Sequence, residues 1–486
     1  MSTYDALAST VDDIVTQAIL AEMRLATKFP NNWLADDQEN PTRVTYTFAA
    51  RPALGCQVEF DWSTGAVIRT SHDNGVTPPL DPSGTFLAWK SKWETAIPPL
   101  FDKYLGMPYP EHFARESSDL DLTGTTLNGG GFKIGDTRFE GTNLDYHLWQ
   151  VGSESGKMLG WSGAAATAFR DKYLKTWPAN LANQFAALAM LKGNIEREKA
   201  MWTKAREQIA LTADHAVSAM KGADGPEPDD KVALAIFAAA AGVVGVAIPV
   251  AGQVALAAAV GSLAVADSMK GEKKQAKELS FGAETPDAVF SRLDAGLTTF
   301  ENEIWDAEHA IHTDLKALQD KLHVRTAFIG TGADALLGST DPYDVGVRGD
   351  QFEVSEIKDL RSFAQTCIDA AGDARTASSA CAINSPSATR NRVAGLGYGY
   401  TGAADQYANC VTMLQDIIGD NGIIIGDAGV QLDAAANAYS DADQDSENKM
   451  RNHSAELVDM RKDDGSMPAP PPPPPVHRGP GHEVPV

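Results

Sequence analysis

His309 and His312 stand three residues apart, with Glu308 beside them. Imidazoles at i and i+3 of a helix can hold a divalent metal from one side. No third ligand accompanies them, so the spacing reads as a solvated helix face, and neither a metal nor another cofactor is expected. The four cysteines, Cys56, Cys367, Cys381 and Cys410, contain no C-x-x-C pair, which argues against zinc. Three of them fall in one C-terminal segment, where the spacing suits either a disulfide or buried free thiols. "FIGTGADALLG", Phe328–Gly338, carries G-x-G but lacks the third glycine of a dinucleotide fingerprint and a surrounding βαβ unit. It reads as a loop. Residues 1–110 offer Asp, His and Glu without a nucleophile–base arrangement. The expectation is a protein that is not an enzyme.

Two other constellations suit recognition better than catalysis. Trp161-Ser162-Gly163 opens a run of small residues, Ala164–Ala166, that lets a neighbouring helix approach closely. Tyr439 and Asp443 are four residues apart and so share one face of a helix. Either pattern arises by chance about once in a chain of this composition. Their weight comes from position: the first starts a long helical stretch and the second closes the last one.

The elements that carry these residues read as mainly α. Residues 1–28 have helical periodicity, then "RVTYTF" and "CQVEFDWSTGAVIRTS" alternate apolar and polar with a turn at Ser63–Gly65. Residues 1–110 are thus a small mixed α/β part, with a further helix over Phe86–Leu105. Leu122–Gly135 reads as a loop. In residues 111–225 a long helix from Trp161 to Lys221 carries Phe169, Tyr173, Trp177, Leu181, Phe185, Leu188 and Ile195 on one stripe. Val232–Ala266 passes without a charge and is divided by Pro249, which predicts a helical hairpin over 232–268, either buried or in contact with a membrane. Residues 283–323 form a second long helix with Thr285 as N-cap and coiled-coil spacing from Leu293 to Leu322, in need of a partner helix. Residues 350–448 read as a helical hairpin, and 449–486 as a disordered Pro-rich tail.

The formal net charge is −24, from 65 acidic and 41 basic residues. Such a surface repels phosphate backbones, so no nucleic-acid partner is expected. The segment "MSTYDALASTVDDIV" lacks a basic start and an apolar core, and does not read as a secretory signal peptide.

The chain resembles substrates of the actinobacterial type VII (ESX-type) secretion system, which are helical-hairpin proteins with a bipartite export signal. Trp161 and Gly163 match its W-x-G half, and Tyr439 and Asp443 its Y-x-x-x-D half. "GDAGVQLDAAANAYSDADQDS", Gly426–Ser446, is similar to the end of an EspC-type secretion-associated domain, and Phe352–Asn448 carries that likeness. "GWSGAAATAFRDKYLKTW" followed by a long helix and a charge-free stretch is similar to EspA-type proteins. The resemblance implies two WXG-like helical-hairpin modules, recognition by the secretion ATPase, a WXG-type helical partner, and a secreted or cell-surface location. It implies a non-enzymatic binding or structural role. The alternative is a membrane-active, pore-forming or inserting effector that uses Val232–Ala266.

Overall fold

The computed structural model describes residues 3–27, 43–51, 54–72, 82–128, 132–134, 137–139, 147–154, 169–223, 231–236, 277–329, 357–382, 390–393 and 395–463. They are mainly helical. The chain runs α1 (Leu7–Thr27), β1 (Arg43–Arg51), β2 (Leu54–Asp61), β3 (Val67–His72), α2 (Pro82–Ala96), α3 (Pro98–Phe101) and α4 (Pro110–Asn128). It continues through β4 (Phe132–Ile134), β5 (Thr137–Phe139), α5 (His147–Glu154), α6 (Trp177–Lys221), β6 (Lys231–Leu234) and β7 (Lys277–Ser280). The last elements are α7 (Pro286–Leu322), α8 (Thr326–Ile329), α9 (Ile357–Ala382) and α10 (Ala404–Asp463).

Helix α6, 45 residues long, is the centre of the molecule. Its sequence pattern predicts one apolar stripe, but Phe185 to Ile195 is buried almost without interruption, Lys192 and Asn194 included. The reason is that helices pack on several of its sides: α1, α4, α7 and α8 all lie against it. A helix surrounded in this way is buried all round. Its polar side chains then need named partners. Gln184 Nε2 donates to Phe328 O at 2.9 Å, and Arg197 pairs with Asp314 of α7. The last carbonyls of α6, at Met220 and Lys221, accept from Arg24 of α1 at 3.1 and 2.9 Å. A cation there satisfies orphan acceptors and meets the negative end of the helix dipole.

Helix α7 begins as the sequence predicts. Thr285 accepts from the Ala288 N–H at 3.2 Å, and Pro286 fills the first position. Leu293, Leu297, Phe300, Ile304, Ala307, Ile311, Leu315, Leu318 and Leu322 are all buried, facing α6 and α10. Helices α9 and α10 pack antiparallel along their length: Ser378 bonds to Gln415 O, and Arg361 to Asn437. Small residues allow the close approach. A Cβ added at Gly429 would stand 2.8 Å from Ala364 O, and one at Gly426 would stand 3.0 Å from the Ala371 Cβ.

Several expectations change. Leu122–Gly135 is not a loop throughout: α4 extends to Asn128, and Phe132–Ile134 is a strand paired with β5. Thr123, Thr125, Thr126 and Leu127 are buried there, and the Thr125 and Thr126 hydroxyls donate to Leu122 O. Tertiary packing overrides the low helix propensity of threonine and glycine. The helix expected over Phe86–Leu105 stops at Ala96, and Pro98 opens the separate turn α3. Val232–Leu234, expected as helix, is a strand paired with β7. Residues 237–276, with Pro249 and most of the charge-free stretch, lie outside the described residues. Among the described residues no helix is long and apolar enough to cross a membrane. Helix α10 continues to Asp463, well into the segment expected to be tail. Residues 464–486 lie outside the description. Cys367, Cys381 and Cys410 are free and buried, not bridged.

The α9–α10 contact makes opposite predictions for two glycines. Gly429→Ala should lower the thermal midpoint, because the new methyl meets a backbone oxygen that cannot yield. Gly372→Ala on α9, where an added Cβ meets nothing within 4 Å, should raise stability by up to about 1 kcal/mol. Equal midpoints for the two variants would contradict this packing.

Candidate functional site

Arg390 and Arg392 leave the connection before α10 and enter the interior. The Arg390 side chain is 1% exposed and reaches Glu198 of α6 at 2.6 Å and Glu116 of α4 through a second, closer pair. Its guanidinium lies over Phe113 and Tyr407, 5.1 and 4.8 Å from the ring centres. Arg392 pairs with Glu308 of α7 at 2.5 Å, with neither side chain exposed, and lies over the Trp202 ring at 5.1 Å. One chain segment therefore joins three helices that are far apart in sequence.

The loop Gly395–Gly402 closes over the second pair. Glu308 Oε2 accepts from the Tyr398 N–H at 2.6 Å, and Arg392 Nε donates to Gly399 O at 3.1 Å. Gly397 and Gly402 have φ of +73° and +59°. A Cβ at Gly397 would collide with the Glu308 carboxylate, and one at Gly402 with the Arg392 guanidinium. Here glycine is required both for backbone conformation and for space.

Two guanidinium groups face three carboxylates, so the cluster carries one excess negative charge. Burial pushes Glu308 up to about 8, against the pull of Arg392. Burial also raises Glu198, countered by Arg390 and Arg392. A proton taken up by this group neutralises the excess in a dry environment. The arrangement holds elements together, with no nucleophile among its members.

The predicted site residues fall elsewhere. Glu308 is buried, whereas His309 beside it is exposed and His312 half-buried. Both imidazoles lie against the Tyr398 ring, at 5.1 and 4.8 Å, and Trp305 stacks on His309 at 4.7 Å. Burial and the neighbouring His309 and Lys316 lower the His312 pKa. Among the described residues no three His, Cys, Asp or Glu side chains cluster as a metal site would. Tyr439 is half-buried on α10, and burial raises its phenol. Asp443 follows one turn later and is exposed. The pair does not end its helix, since α10 runs on to Asp463. Trp161 and Gly163 lie outside the described residues, as does most of Phe328–Gly338.

Arg390, Arg392, Glu116 and Glu198 were not singled out by sequence reasoning, although a signal exists. Glu198 lies three residues after Ile195 and four before Trp202, and Glu308 lies four after Ile304 and three before Ile311. Acids at apolar-stripe positions call for buried partners.

No family model, no curated protein and no solved structure matches this chain.

Removing Arg390 strands Glu116 and Glu198, so Arg390→Met should cost about 3–5 kcal/mol, read from the urea midpoint. The pH dependence has a definite sign. Glu308 is raised from its ordinary 4.5 to about 8 in the folded chain, so the folded state holds the extra proton between those values. Its contribution is complete below 4.5 and is lost as pH rises through about 8. Wild-type stability should fall between about pH 4.5 and about pH 8, and Glu308→Gln should flatten that slope. A slope unchanged in Glu308→Gln would remove Glu308 as its source.

Proposed function

We propose that this protein is a substrate of a type VII (ESX-type) secretion system, acting after export as a non-enzymatic binding or structural factor. The observation that supports this reading most is the setting of Tyr439 and Asp443. Helix α9 begins at Ile357, and Arg361 bonds to Asn437, so α10 runs past the start of α9 at about the level of this pair. Every residue from Asp441 to Glu456 is exposed. A receptor that reads Y-x-x-x-D on a helix face would meet the pair at the rim of the bundle, where Tyr439 is half-buried and Asp443 is exposed. In this reading Trp161 and Gly163 supply the other half of a bipartite signal, and the export ATPase and a WXG-type helical protein are the partners. The two WXG-like hairpin modules and the coiled-coil pairing of α6 with α7 belong to the same proposal.

A second reading, a membrane-active effector using Val232–Ala266, is favoured by one feature. Strands β6 and β7 pair Leu234 with Lys277, so the charge-free stretch leaves and rejoins the fold at one place. Gln208 of α6 anchors that place, bonding to Ala233 O and the Ala235 N–H. A segment tethered at adjacent ends can change partners without unravelling the helices. Dye release from liposomes tests this directly, and no leakage from acid to neutral pH would eliminate it.

For the export reading, culture filtrate and cell pellet are compared for wild type, Tyr439→Ala and Asp443→Ala. Release should fall at least about tenfold in either variant, with unchanged helix content by circular dichroism, because both residues sit at the rim of the fold. Undiminished release of both variants would sink the proposal.

A further inference from the structure

Trp305 is 43% exposed, an unusual setting for tryptophan on the helix that carries the apolar seam of the core. It is not isolated. Its ring stacks on His309 with 16° between the planes, and Tyr398 stands 5.8 Å from Trp305 and 5.1 Å from His309. His312 also lies against the Tyr398 ring, at 4.8 Å. The platform is held from below: the Tyr398 N–H donates to buried Glu308, which is paired with Arg392. The rings are thus pre-positioned, and binding to them costs little ordering. Tyr400, 57% exposed, continues the same loop.

A pre-positioned cluster of aromatic rings, Trp305 and His309 exposed and Tyr398 half-buried, fits polyproline. Proline rings pack against aromatic faces, and a polyproline II segment is already extended and loses little entropy on docking. This chain has such a segment, the six prolines Pro470–Pro475. Its position decides how the two can meet. Tyr398 lies six residues before Ala404, the first residue of α10. The helix then carries the chain through 60 residues, about 90 Å at 1.5 Å per residue. The proline run starts seven residues beyond Asp463, and even fully extended its far end reaches back only about 40 Å. The run cannot fold back onto the platform of its own molecule. It can reach that of another. Both surfaces are weakly charged, which suits a contact between copies whose net charge of −24 opposes broad association.

We propose that the platform of Trp305, His309 and Tyr398 binds the Pro470–Pro475 run of a second copy of this chain. The inference does not rest on the export reading. Sedimentation velocity of the full-length chain at rising concentration tests it, alongside Trp305→Ala, Tyr398→Ala and a variant with Pro470–Pro475 replaced by serine at equal length. Concentration-dependent association is expected in the wild type and should be lost in all three variants. A fluorescein-labelled peptide of residues 464–486 should bind the full-length wild type and bind Trp305→Ala and Tyr398→Ala about tenfold more weakly. Circular dichroism checks that each variant folds, and the serine variant leaves the folded body untouched. A wild type that stays monomeric at every concentration would overturn the second copy as occupant, even if the peptide binds. Association persisting in the serine variant, or peptide binding unchanged in both platform variants, would overturn the contact itself.

Discussion

A guanidinium group in a dry interior must have a carboxylate beside it. Removing either partner leaves a charge that costs several kcal/mol. Arg390 meets that condition with Glu116 and Glu198, and Arg392, two residues on, lies against Glu308, which holds the cluster's extra proton up to about pH 8. Meeting it requires α4 to present Glu116, α6 to present Glu198 and α7 to present Glu308 at one point. The loop above must then be glycine-rich, because Gly397 and Gly402 occupy space that any side chain would contest. Such a cluster adds little net stability over an apolar core of equal volume. What it contributes is discrimination: helices that slide by a turn against one another lose their pairs.

The same condition explains why the C-terminal helices are fastened to the rest. Helices α9 and α10 pack on each other through Gly and Ala, a contact of shape more than of charge. The arginines stand between these two helices in sequence, and reach into the group formed by α4, α6 and α7. Thr123 of α4 donates to Ala377 O of α9, and Cys410 of α10 to Leu315 O of α7. These are ordinary polar contacts around a charged pivot. Past the start of α9, the residues of α10 from Asp441 to Glu456 are exposed, and a polar surface with i,i+4 pairs such as Glu447–Arg451 suits a helix in that setting.

Local pattern made much of this legible. The bounds of α6 at Lys221 and of α7 at Thr285 follow from an apolar period ended by "GADGPEPDD" and from an N-cap followed by proline. The three-stranded sheet follows from alternation, and β2 and β3 turn where Ser63–Gly65 predicts. What local pattern could not give was anything decided at a distance. The Thr-rich end of α4 is helical because α6 and α9 bury it. Glu308 and His309 are neighbours in sequence, one buried and one exposed; the apolar-stripe position of Glu308 signals its burial, but its partner Arg392, 84 residues away, is not a matter of local pattern. The strand at Val232–Leu234 exists because Lys277–Ser280 returns to meet it. The candidate site divides in the same way: Tyr439 and Asp443 were readable as a spacing, whereas the Arg–Glu cluster needed three helices and a loop in register.

The pairing of β6 with β7 has a consequence for how this chain can change over generations. Val232, Leu234, Ile236 and Phe281 are buried at the two ends of the intervening segment, and the strands hold those ends side by side. The entropy of closing a loop grows only with the logarithm of its length, about 0.6 kcal/mol for each doubling. The entropic cost of holding β6 and β7 together is therefore nearly independent of how many residues lie between Ile236 and Lys277. As far as loop closure is concerned, insertions or deletions there leave the strand pairing intact, so length is a property of that stretch on which selection can act at little entropic cost.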